Sequence, residues 1–146
     1  MNLDLRVRSA ILGTLAETGI APTPRDVAAR LGEVVEPVLG AWRRLREGRV
    51  IVTGQDGVSL LMANPFSGVP TDHTFASGGV RYYANCGWDA LGVAAALGRS
   101  GVVRSRCANS GKPLELAVRD DGPEPCSWFF HSLVSAAHWW DDIVFT

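Results

Sequence analysis

Two cysteines and a carboxylate fall in one stretch with the residue types and spacing for thiol chemistry. Tyr82–Val118 reads YYANCGWDALGVAAALGRSGVVRSRCANSGKPLELAV and contains Cys86, Asp89 and Cys107. A thiol at the start of a helix faces unpaired backbone N–H groups and the positive end of the helix dipole. Both favour the thiolate, the form that acts as nucleophile and soft-metal ligand. Asp89, three residues on, shares a helix face with Cys86, so its carboxyl can reach the same bound atom. The same residue types have plainer uses: a free Cys is most often a small buried hydrophobe, and an early-helix Asp most often offsets the dipole from the surface. Spacing alone leaves both uses open.

The positioning elements follow from the same stretch. Asn85 is suited to cap a helix, and the Ala/Leu-rich run CGWDALGVAAAL behind it ends at Gly98, which predicts a helix of about three turns with Cys86 in its first turn. After Gly101, VVRSRC is β-branched and partly alternating, Ala108–Pro113 is dense in turn formers, and LELAV alternates again. This predicts a hairpin with Cys107 where the first strand enters the turn.

Upstream, Leu3–Thr18 carries apolar residues near helical period and stops at Gly19. Thr23-Pro24 reads as an N-cap with proline at the first helical position, opening a short helix to Leu31 that Gly32 closes. A third helix is expected over Val35–Glu47, with Val38, Leu39, Trp42 and Leu45 inward. Val50–Val52, a turn at Gly54–Gly57 and Val58–Met62 predict a β-hairpin. Three helices and a hairpin outline a winged helix-turn-helix, with Arg43, Arg44 and Arg46 on the helix that would meet DNA. Arginine and acidic residues nearly balance over Met1–Met62, however, and a charged helix face is usually just solvated. Asn64–Gly79, with Pro65 and Pro70, reads as a connecting segment, and His73 as an exposed loop residue. Val80–Tyr83 is expected as a strand leading to Cys86, Ser127–Val134 as a strand, Ser135–Asp141 as a short helix or turn, and Ile143–Phe145 as the start of a last strand. His131 and His138 do not form a metal-pair pattern, and Trp139 and Trp140 read as packing residues. The expected class is α+β: a winged-helix-like lobe (1–62), a connection (63–79) and a mixed sheet/helix core (80–146).

Composition sets the outer limits. The chain has 146 residues, 47% hydrophobic and 20% charged, with net charge −1. It suits one compact domain or two small lobes, and it has no charge excess to draw it to nucleic acid or an anionic membrane. No apolar run approaches a membrane span, and Asp4, Arg6 and Arg8 interrupt the place where a signal peptide is apolar. A cytoplasmic protein is expected, with its odd set of three cysteines present as free thiols. The oligomeric state stays open.

Cys86-Gly87-Trp88-Asp89 and Cys107-Ala108-Asn109-Ser110-Gly111-Lys112-Pro113 together resemble the alkylmercury (organomercurial) lyase family. Its members carry a Cys-x-x-Asp at a helix start and a later Cys-x-x-(Ser/Thr)-Gly-x-Pro turn. The likeness extends through MANPFSGVPT before and HWWDDIVFT after, covering about Leu61–Thr146. It implies protonolysis of a carbon–mercury bond. Cys86 would be the first thiolate and metal ligand, Asp89 the proton relay, and Cys107 structural. No resident cofactor is implied: Hg(II) would be the bound product and an exogenous thiol its acceptor. The resemblance also implies a winged-helix-like N-terminal part that does not bind DNA. The family's second catalytic cysteine lies in a strand after the Trp-Trp-Asp-Asp stretch, beyond Thr146. The expectation is therefore a longer natural protein or a divergent member, with Cys126 able to stand in as the second metal-binding thiol. Two further readings remain: a non-catalytic soft-metal (Hg or Cd) binding or sensing protein, and a winged-helix regulator with a degenerate lyase-like lobe.

Overall fold

The apolar spacing of the N-terminal stretch does what it predicts. In the computed structural model, which describes residues 2–132 and 134–143, Leu3–Thr18 forms α1 and buries Val7, Ala10, Ile11 and Leu15. Gly19 ends it at φ 70°, in the left-handed region. No other residue fits there, since a Cβ would lie 2.3 Å from the Arg81 carbonyl oxygen. α2 (Pro24–Leu31) opens on a reciprocal cap: Thr23 Oγ1 accepts from the Asp26 N–H, and Asp26 Oδ2 accepts from the Thr23 N–H at 2.8 Å. α3 (Val35–Glu47) buries Val38, Ala41, Trp42 and Leu45. These helices keep the bounds their patterns predict.

The expected hairpin forms with shorter strands. β1 (Val52–Thr53) pairs with β2 (Leu60–Ala63), with a register shift between Val52 and Thr53, and β3 (Phe66–Ser67) pairs with the other edge of β2. The second sheet comprises β4 (Thr74–Ser77), β5 (Val80–Tyr83), β6 (Gly101–Arg106), β7 (Pro113–Arg119) and β8 (Gly122–Pro123), antiparallel in the order β5-β4-β6-β7-β8. Residues 63–79, expected as a connection, thus also supply β3 and β4, and β4 lies between β5 and β6. A bridge between Phe66 and Ala84 joins the two sheets.

α4 (Gly87–Leu97) links β5 to β6 and packs on β4 and β6. Small residues permit that closeness: a Cβ on Gly87 would lie 3.1 Å from Ser105 Oγ, and one on Gly92 3.1 Å from Pro65 Cβ. One hydrophobic cluster runs from Val7 to Val118. At its centre Tyr82 is fully buried between Phe66 and Phe75, with ring centroids 6.1 and 6.2 Å away. Such ring pairs add about 0.5–1.5 kcal/mol each beyond area burial. The Tyr82 hydroxyl donates to the Ala16 carbonyl at 3.0 Å and accepts from Arg99 at 3.0 Å, so β5 is tied to α1 and to the end of α4. Among the described residues the architecture is α+β, with four α-helices and two antiparallel sheets.

One predicted strand does not form among the described residues. Residues 127–132 form no strand, and Phe129 is 94% exposed. β8 is only two residues long, and Pro123 and Pro125 lack the N–H groups that would carry the ladder further. The short helical segment expected next is present as a 3₁₀ turn at Ala136–His138. Of the final strand expected at Ile143–Phe145, Ile143 lies in a turn and the rest falls outside the described residues.

Candidate active site

The sequence places Cys86 just behind a helix start, and the structure moves it one position outward. Cys86, not Asn85, is the N-cap of α4: its φ/ψ of −152°/178° is extended, and Sγ accepts from the Asp89 N–H at 3.4 Å. A thiol is a weak acceptor, so this cap serves position more than stability. The backbone carrying the carboxylate is thereby tied to the sulfur, and both side chains are half-buried at one turn.

Asn85 is free to do something else. Its Nδ2 donates to Asp89 Oδ2 at 2.9 Å and to Asn64 Oδ1 at 3.1 Å, with the Pro65 carbonyl at 3.4 Å. From the sheet side, His73 enters at the foot of β4, where its carbonyl accepts from the Ala84 N–H at 2.9 Å. His73 Nδ1 lies 2.8 Å from Ser105 Oγ on β6, and Ser105 stands over Gly87. The site thus gathers Cys86, Asp89, Asn85, Asn64, His73 and Ser105 from four parts of the chain.

Burial governs the charges here. It pushes the Cys86 thiol up, outweighing the Asp89 N–H, while the Asp89 charge pushes in the same direction as burial. The expectation that the helix start alone favours the Cys86 thiolate is corrected accordingly: desolvation wins. Burial likewise raises Asp89, against the opposing Asn85 hydrogen bond and the nearby His73. His73 is held below the usual imidazole range, again mainly by burial, with Asp72 and Asp89 pulling the other way. Burial thus works against charge at all three groups and raises the proton affinity of both the sulfur and the carboxyl.

His73 yields a pH prediction with a definite sign. Its folded pKa is depressed, so its contribution is fully present above the unfolded value of about 6.5 and is lost as pH falls through the folded value. His73→Gln keeps a polar partner for Ser105 without a titrating ring. Thermal melts at about pH 7.5 and about pH 5 should show a smaller acid loss of Tm in the variant than in the parent. An equal loss would contradict the buried, neutral imidazole.

The other cysteines lie elsewhere. Cys107 sits at the end of β6 in the predicted turn, where its N–H donates to the Lys112 carbonyl and its carbonyl accepts from the Gly111 N–H. The Ser110 hydroxyl, followed by the backbone of Ser110 and Asn109, pushes its thiol down. Cys126 is exposed on the irregular chain after β8, and all three thiols are free. That chain does return to the site: Phe130 packs on Trp88 of α4 with ring centroids 5.6 Å apart. Among the described residues there is no group of three or more His, Cys, Asp and Glu suited to hold a metal. A groove of about 400 Å³ between α1, α3 and β2 is lined by Leu5, Ile11, Leu12, Leu45, Ile51 and Ala63, and it meets this site only through Asn64. No described helix is long and apolar enough to cross a membrane.

Sequence reasoning passed over Ser105 and Asn64, and it weighed His73 as a ligand only to prefer an exposed loop residue, whereas His73 is half-buried against Ser105. The signal for His73 was present: Thr74–Ser77, two glycines and Val80–Tyr83 have the form of a hairpin, which would have put His73 at a strand end opposite Ala84.

A family model described as alkylmercury lyase matches residues 66–146. An alkylmercury lyase of Staphylococcus epidermidis is 33% identical over 117 residues, covering 76% of this chain and 49% of that protein. One from Bacillus cereus is 32% identical over 109 residues, covering 70% of this chain and 45% of its own length. The chain spans about half the length of these curated relatives. The crystal structure of a mercury-bound form of MerB2 shares the fold, with TM-score 0.60 at 22% identity over 84% of this chain and 68% of the other.

Proposed function

From the premise that this chain belongs to the alkylmercury lyase family, we propose that it cleaves the carbon–mercury bond of a small organomercurial by protonolysis. The observation that carries this reading is the joined pair at the start of α4, with Cys86 Sγ held by the Asp89 N–H at 3.4 Å and burial raising the proton affinity of both groups.

A soft sulfur prefers a soft metal, so Cys86 displaces the anionic ligand of an organomercury cation and gives its proton to Asp89. Sulfur bound to mercury raises the electron density on the attached carbon. Asp89 then passes the proton to that carbon as the carbon–mercury bond breaks, the hydrocarbon leaves, and Hg(II) stays on Cys86. A second sulfur completes the linear coordination that Hg(II) favours. On this chain Cys126, four residues before the Phe130 that packs on Trp88, is the candidate, and a small exogenous thiol can supply the same atom and carry Hg(II) away. Cys107, held within its own turn, is structural. No resident cofactor enters the scheme. Free thiols of this kind suit a reducing, cytoplasmic setting.

We read α1–α3 and the β1–β2 hairpin as a winged-helix-like lobe that supports the core and does not bind nucleic acid. Arg44, which would face a duplex, is engaged by Asp4 at 2.6 Å. The functional test is headspace detection of hydrocarbon from an aryl or alkyl mercury compound with excess thiol. Release over many turnovers supports the lyase reading. Retention of one Hg per chain without release would instead assign the site to soft-metal binding.

A further inference from the structure

We propose that Asn85 is a positioning residue that clamps the Asp89 carboxyl by one oxygen, so that Oδ1 is the oxygen that carries and delivers the proton. The inference deepens the lyase reading and rests on it, since it assigns a role within that proton transfer.

Three acceptors surround Asn85 Nδ2: Asp89 Oδ2 at 2.9 Å, Asn64 Oδ1 at 3.1 Å and the Pro65 carbonyl at 3.4 Å. Only the NH₂ end of the amide satisfies such a set, which fixes its orientation. Its two hydrogens are then committed, one to Asp89 and one shared between Asn64 and Pro65. In a protonated carboxyl the carbonyl oxygen is the strong acceptor and the hydroxyl oxygen a weak one, so the N–H donated to Oδ2 marks that atom as the carbonyl oxygen. The proton therefore sits on Oδ1.

The backbone of the same residue is fixed as well. The Asp89 N–H donates to Cys86 Sγ, so side chain and backbone are anchored on two adjacent residues, Asn85 and Cys86, just before it in the chain. Asn64 is in turn held against α4 by the packing of Pro65 beside Gly92. Sequence-distant loop and helix start are thus joined by one amide, and the oxygen left unclamped is the one available to the reacting atom. Misplacing a reacting group by about 1 Å can cost on the order of 100-fold in rate.

Two measurements test this, one of which does not depend on the reaction. In NMR spectra of the free protein, both Asn85 side-chain amide protons should exchange slowly with water, and one of them should shift in Asp89→Ala while the other shifts in Asn64→Ala. Rapid exchange of the pair, or no response to Asp89→Ala, overturns the clamp even if the protein is an active lyase. In steady-state assays with phenylmercury and excess thiol, Asn85→Ala should lower kcat roughly 10–100-fold with KM and mercury retention unchanged. Asn64→Ala, which frees only the far hydrogen, should lower it less and in the same direction. A raised KM with unchanged kcat would make Asn85 a binding residue and overturn the proposal. A parent chain that releases no hydrocarbon counts against the lyase reading, and the NMR result still decides whether Asn85 holds Asp89.

Discussion

Cys86→Ser should abolish hydrocarbon release, lowering kcat/KM by on the order of 10³-fold or more, while leaving the fold intact. Oxygen is a hard ligand and a serine hydroxyl stays protonated, so the variant neither holds mercury nor has a proton to hand to Asp89. The usual worry, that a half-buried substitution merely unfolds the protein, works the other way here. Cys86 is the N-cap of α4, accepting from the Asp89 N–H through sulfur, and serine is among the favoured residues at that position. Tm should therefore be unchanged or slightly higher, by up to about 1 kcal/mol of helix capping. Initial rates paired with a thermal melt separate the two effects. Full activity in the serine variant would remove Cys86 from the chemistry.

Asp89→Asn should separate binding from turnover. The amide still accepts from Asn85 through its carbonyl oxygen and leaves Cys86 untouched, so the organomercurial binds to sulfur and stays there uncleaved. Losing a positioned proton donor lowers kcat by roughly 10²–10⁴-fold. The same substitution should stabilise the protein. Burial holds the Asp89 carboxyl above its ordinary value despite Asn85 and His73, so the folded state disfavours its charge overall. Because the folded carboxyl is raised, its contribution to stability is fully present below the unfolded value of about 3.9 and is lost as pH rises through the folded value. The neutral amide escapes that loss. The variant should melt a few degrees above the parent at about pH 7, with the gap closing toward about pH 4. The favourable effect of a negative charge at a helix start opposes this, and the net upward displacement of Asp89 says which prevails. Equal Tm values at neutral pH would contradict a costly buried charge, and such a trade of stability for function is common at active sites.

The parts of this fold that could be read from residues alone are those decided locally. Gly19, Gly32 and Gly98 each end a helix in the left-handed conformation, and Thr23-Pro24 opens one. Alternation in LELAV puts Leu116 and Val118 inward on β7. The site was legible in its first pair only, because Cys86 and Asp89 are three residues apart on one turn. Its remaining members meet through contacts between distant residues: His73 with Ser105 and Asn64 with Asn85. No periodicity within a window of the chain carries that information. The cap was misplaced by one residue because Asn85, the better capping residue by type, is drawn away by Asn64 and Asp89. The strand expected at Ser127–Val134 had the right apolar content, but the ladder stops at Pro123 and Pro125 has no N–H to carry it further. The thiolate expectation at Cys86 failed for a related reason, since burial is set by the packing of β6 and Pro65 on α4 and not by helix position.

The most direct test of carbon–mercury protonolysis at this site is to run the reaction of phenylmercury with excess thiol in D₂O and analyse the released benzene by mass spectrometry. Singly deuterated benzene should form over many turnovers with the parent chain and not above the uncatalysed background with Cys86→Ser or Asp89→Asn. Phenylmercury recovered intact on the protein, or benzene released at the same rate by the Cys86→Ser variant, would contradict it.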